Sequence, residues 1–133
     1  MQAVLIAVMS LHLLASVFWA GTTFGLAVTG GAGERLFRPQ MVAATIAVLA
    51  GAYLWSQLHA SGFGGSELVL GLGGLCAVAA AGVQGAVGGR AIRELHNGRV
   101  GDADARARIA SAQRIAAVLL AVTIVCMAAA RYV

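Results

Sequence analysis

Three histidines and two cysteines are the side chains in this sequence best suited to hold a metal. His12 lies inside a long apolar run, His59 lies at the end of another, and His96 sits beside Asn97 in a charged stretch. An imidazole placed at membrane depth is costly unless it is hydrogen-bonded or ligated. Neutral imidazole is also the commonest metal ligand, and two of them can hold haem iron from opposite faces. His96 reads as a solvated side chain. Cys76 and Cys126 have small apolar neighbours and read as buried free thiols.

The neighbours of the two apolar histidines suggest what they serve. At 3.6 residues per turn, Trp19 and Thr23 share a helix face with His12, and Ser16 lies close by. On the other helix, Ala52 and Trp55 share the side of His59. Trp55 also fits the role of an interfacial anchor. Trp19 falls near mid-membrane, where an indole N–H needs a partner and its ring needs room. A histidine and a tryptophan on each helix suggest a pocket walled by flat aromatic groups. The expectation is a haem b ligated by His12 and His59, with Trp19, Trp55 and Ser16 lining the site. The plainer alternative has His12 bonded to a serine or carbonyl and His59 wet at the interface.

These residues need elements to carry them, and the composition points to helices in lipid. Of 133 residues, 60% are hydrophobic and only 11% charged, against about a quarter charged in an ordinary soluble domain. Four segments, roughly 3–29, 40–60, 67–90 and 109–131, meet the requirement of about 20 mostly apolar residues. The opening residues lack a positive n-region, and the apolar run passes Trp19 without a small-x-small cleavage site, so this segment is expected to be a retained helix. The fold class expected is all-α: a single domain forming an integral-membrane, antiparallel, up-down four-helix bundle.

The connections set the expected orientation. All nine basic residues are arginine. Arg35 and Arg38 lie in the first connection, which ends at Pro39, a helix-start residue. The second, Ser61-Gly62-Phe63-Gly64-Gly65-Ser66, is uncharged, with Ser66 as an N-cap. The third, Arg90 to Arg108, carries Arg90, Arg93, Arg99, Arg106 and Arg108, a turn at Asn97-Gly98, and caps at Asp102 and Asp104. By the positive-inside bias the first and third connections are cytoplasmic and both termini face outward, Arg131 alone opposing. A multi-pass protein of a bacterial inner (cytoplasmic) membrane is expected. The arginines lack the interleaved aromatics that stack bases, which argues against nucleic-acid binding.

Antiparallel helices also predict partners. Residues lying symmetrically about a connection fall at similar depth. Gln84 and Gln113 flank the Asn97-Gly98 turn in this way and should hydrogen-bond across two helices. His12 and His59 flank residue 35 almost symmetrically and are expected at one depth near the outer face. The spacings Gly21-x-x-x-Gly25 and Gly85-x-x-x-Gly89 allow close helix approach, within the chain or in a homo-oligomer. Gly71-x-Gly73-Gly74 lacks the preceding strand of a phosphate loop and reads as close helix packing.

The first helix carries one resemblance. Leu11-His12-Leu13-Leu14-Ala15-Ser16-Val17-Phe18-Trp19-Ala20-Gly21 resembles the first helix of copper resistance protein D-like membrane proteins. Its His-to-Trp spacing is also similar to that of the HemJ-type protoporphyrinogen oxidases, small multispanning haem-binding proteins. The resemblance covers residues 11–21, with the multispan layout beside it. It implies His12 as the haem or metal ligand and Trp19 as part of the site wall. The HemJ-type enzymes also use a membrane lysine, and this chain has none. Copper is the alternative cofactor, with Met9 on the His12 face and Met127 and Cys126 in the same half of the membrane. Expected partners are the lipid bilayer and a redox partner or quinone. The activity class expected is electron transfer, haem handling or a membrane oxidoreductase. A non-redox metal-permeation or structural subunit is the other class.

Overall fold

A computed structural model describes residues 1–30, 34–58 and 64–133, and these are almost entirely helical. Helix α1 spans Gln2–Thr29 and α2 spans Glu34–Leu58. Helix α3, Gly65–Val83, continues through a π-helical segment, Gln84–Gly88, into α4, Gly89–His96, as one rod. Helix α5 spans Asp102–Ala129 and ends in a 3-10 turn, Ala130–Tyr132. Each of the four rods is long and apolar enough to cross a bilayer.

Small residues face inward and large apolar ones face outward. The central cluster contains Ala15, Ala43, Ala44, Ala47, Ala80 and Ala116, with Trp19 and Leu120 as its large members. Alanine at these positions lets backbones approach, and close packing is the main attraction between helices where the solvent is itself apolar. Leu14, Val17, Leu49, Leu75, Val118 and Val125 are each at least 65% exposed. Such a surface suits hydrocarbon and would be a large aggregating patch in water. Helix α1 packs on α2 and α5, and α5 on α3, while α2 and α3 touch more loosely.

The helix ends depart from expectation in a consistent direction. Helix α2 is already formed at Glu34 and runs through Pro39, which withholds one N–H from the ladder in a solvent-exposed turn. The third rod reaches His96 and α5 begins at Asp102, so residues 97–101 form the third connection. Gly98 takes a positive φ of 66° there, and Arg99 N–H reaches the Glu94 carbonyl. Arginines and acids had set the expected span limits, but the exposed terminal turns of a helix tolerate charge, so the helices run on past them. The caps also differ. Gly101, not Asp102 or Asp104, is the N-cap of α5, and both aspartates occupy the first turn, where they oppose the helix dipole favourably. Gly64 rather than Ser66 caps α3; Glu67 accepts from the Gly64 N–H at 2.8 Å and from the Ser66 hydroxyl at 3.0 Å.

Candidate functional site

Among the described residues, Thr23, Gln40, Gln84 and Gln113 join with Trp19 in one closed network drawn from all four rods. Gln84 and Gln113 meet as expected, with Gln84 Nε2 donating to Gln113 Oε1 at 2.9 Å. Gln40 of α2 completes the group: it exchanges amide bonds with Gln113 in both directions, at 3.2 and 2.9 Å. Thr23 of α1 accepts from Gln40 and Gln84 at 3.0 and 2.9 Å, and donates to the Trp19 carbonyl at 2.7 Å. Trp19 donates its indole N–H to Gln84 Oε1 at 2.7 Å. None of the five is more than 3% exposed. Each interhelical bond in lipid contributes about 0.6–2 kcal/mol, and a satisfied network specifies register more strongly than any one of them.

Gln84 enters this network at the start of the π-helical turn, from which Gln84 and Gly88 face inward while Gly85, Ala86 and Val87 face out. Gly88 lies under the ring of Phe37; a side chain there would begin only 3.0 Å from the ring. Residue 40 and residue 23 lie symmetrically about the short connection that follows α1, the signal that could have identified Gln40 from sequence. It is hidden when α2 is taken to begin at Pro39.

His12 lies two turns along α1 from Trp19, half-buried between α1 and α2. Its Nδ1 is 2.8 Å from the Ala47 carbonyl. A carbonyl can only accept, so Nδ1 carries the proton, and a neutral ring then has its lone pair on Nε2. Gly51, one turn beyond Ala47, makes this approach possible: a Cβ on residue 51 would lie 3.1 Å from His12 Cε1. Among the described residues, the His12 ring has no second hydrogen bond. The residues of α2 level with His12 are thus Ala47 and Gly51, because α2 begins several residues earlier than expected. His59 lies outside the described residues.

The other expected site residues disperse. Trp19 is committed to Gln84 in the centre of the bundle. Trp55 is partly buried, with its ring 3.9 Å from the Cβ position of Gly71 on α3, so it faces a different neighbour from His12. Ser16 is partly buried one turn from His12. Met9, on the His12 face one turn nearer the N-terminus, lines a groove of about 280 Å³ between α1 and α2 with Leu5, Ile6, Leu54 and Leu58. Cys126 packs against Gly73, whose carbonyl accepts from Thr123 at 2.9 Å, so the glycine-rich stretch of α3 does serve close packing. Gly21 and Gly25 instead face open space. Among the described residues, no three His, Cys, Asp or Glu side chains gather as a metal site.

Comparison with known proteins returns no matching family model, curated protein or solved structure.

Proposed function

We propose that this is a multi-pass membrane protein that holds a haem b through Nε2 of His12, for electron transfer or haem handling. The observation that carries the reading is the 2.8 Å bond from His12 Nδ1–H to the Ala47 carbonyl. Histidines that ligate metals commonly donate their other ring nitrogen to a carbonyl or carboxylate, which selects the tautomer, orients the ring and raises its basicity. Here the bond satisfies one nitrogen and directs the lone pair to the other. The donor chemistry fits a haem iron, and a groove that begins one turn away at Met9 offers mostly apolar walls from Leu5, Ile6, Met9, Leu54 and Leu58, with Gln2 and Ser10. At about 280 Å³ it lies just below the range for small-molecule sites, so lipid would cover much of a bound macrocycle.

In this reading His12 supplies the ligand, Ala47 holds the imidazole and Gly51 makes room for it. A bound haem would supply one-electron chemistry. Trp19 has a structural duty with Gln84 and is not needed as a wall. The arginine distribution supports a cytoplasmic position for the charged end of the bundle, with both termini outward in a bacterial inner membrane. Copper is a second reading, supported by Met9 one turn from His12 on the same helix face, a thioether beside an imidazole.

Absorption spectroscopy on protein expressed with ample haem tests the proposal. The parent should be red, and His12→Ala should lose most of the bound haem. His59→Ala separates one axial histidine from two: a low-spin parent turning five-coordinate in this variant assigns His59 as the second ligand. A colourless parent, or a His12→Ala variant with the parental spectrum, would remove haem from His12. Cuprous ion bound by that colourless protein, and lost in Met9→Ala, would support the copper reading instead.

A further inference from the structure

The seam between α2 and α3 is independent of the His12 reading. Helices α2 and α3 pack more loosely than the α1–α2, α1–α5 and α3–α5 pairs, and between them runs a groove of about 180 Å³. Its walls are Ala44, Thr45, Val48 and Leu49 on one side and Val78 and Ala81 on the other. The Thr45 hydroxyl donates to the Met41 carbonyl at 2.9 Å, so the groove presents carbon to its occupant. Phe37 closes one end of the seam, its ring against Gly88 and Gly89.

Two arginines flank that closed end. On α2, residues 38, 45 and 49 fall along one stripe to within about 20° at 3.6 residues per turn, so Arg38 stands over the end of the groove wall formed by Thr45 and Leu49. On α4, Arg93 lies one turn beyond Gly89, on the face that brings His96 to Glu34 at 3.6 Å. Arg38 and Arg93 are exposed, and among the described residues neither is paired with a carboxylate. The acid closest in sequence to Arg38, Glu34, faces His96, and the acid beside Arg93, Glu94, is bound by Arg108 at 2.7 Å.

We propose that this seam binds an anionic phospholipid, with an acyl chain along the groove and the phosphate held between Arg38 and Arg93. An apolar channel that ends in two unneutralised guanidinium groups has the polarity sequence of a phospholipid. Guanidinium forks match phosphate oxygens in pairs, and basic pockets between membrane helices recognise anionic headgroups in this way.

Native mass spectrometry of the purified full chain tests it, with dioleoyl phosphatidylglycerol and dioleoyl phosphatidylcholine offered in equal amounts. The parent should retain phosphatidylglycerol about tenfold over phosphatidylcholine. At roughly fivefold per arginine, the double variant R38Q/R93Q should lower retention by about 25-fold. Thr45→Phe, which fills the groove from an exposed position and leaves both arginines in place, should also displace the lipid. R99Q/R106Q removes equal charge elsewhere and should behave as the parent. Equal retention of the two lipids by the parent would overturn the site. So would parental retention in R38Q/R93Q or in Thr45→Phe. A loss in R99Q/R106Q as large as in R38Q/R93Q would reduce the effect to general charge and overturn it as well.

Discussion

The indole N–H of Trp19 meets the side-chain oxygen of Gln84 at 2.7 Å between the first and third rods, with both side chains almost wholly buried. Two residues far apart in the chain thereby settle each other's polar requirement. Trp19→Phe keeps most of the ring volume and removes the donor, leaving Gln84 Oε1 unpaired among buried groups. The variant should lose about 1–2 kcal/mol of stability, measured by equilibrium unfolding in micelles. Phe18→Leu, at an exposed position next to it, should change little. Parental stability in Trp19→Phe would mean that the bond does not form in the membrane.

Gln113 accepts from both Gln40 and Gln84, so the three amides act as a unit. Gln84→Leu and Gln113→Leu should each cost on the order of 1 kcal/mol. Combining them should cost less than the sum by about the worth of their shared bond, since Gln113 keeps its bonds to Gln40 when Gln84 is lost. Fully additive losses in the double-mutant cycle would show the two side chains out of contact.

Gly51 limits how closely His12 can approach Ala47. A methyl group at 3.1 Å from His12 Cε1 demands a shift of a few tenths of an ångström, and a β-branched side chain demands more. Gly51→Ala should therefore perturb the ring slightly, while Gly51→Val should break the bond to Ala47. Nitrogen NMR of histidine-labelled protein reads this directly. In the protein without cofactor, Nδ1 of His12 should carry a proton held by the Ala47 carbonyl, and Gly51→Val should lose that fixed arrangement. A proton on Nε2 alone in the parent would contradict the bond to a carbonyl.

Seven arginines in and beside the first and third connections, with none in the second, predict that both termini face outward. A reporter that functions only in the cytoplasm, fused after Val133, should be inactive. The same reporter inserted after Asn97 should be active. The reverse pattern would invert the bundle and place the groove near Met9 on the cytoplasmic side.

Local pattern was enough for the number of rods, their apolar character and the meeting of Gln84 with Gln113. Hydropathy along a helix is a property of consecutive residues, and the Asn97-Gly98 turn marks the register of its two neighbours within a few residues. The register of α1 against α2 was not legible in the same way. Charged residues and Pro39 suggested that α2 begins near residue 40, yet helix geometry extends back to Glu34, because the exposed first turns of a helix tolerate both charge and a missing N–H. That shift sets Gly51 level with His12 and Thr23 beside Gln40.

Tertiary packing alone assigned the partners of the polar groups. The sequence requires that the Trp19 indole, the glutamine amides and the His12 ring be satisfied, since an apolar interior offers them nothing. It does not say by whom. Trp19 and His12 share a face of α1 by period, and that suggested one shared pocket. In the bundle, however, the face is divided between two neighbours: the Trp19 indole reaches Gln84 on the third rod, and His12 bonds α2. A helix face is wide enough to touch more than one partner, and only the positions of the other helices decide which residue meets which.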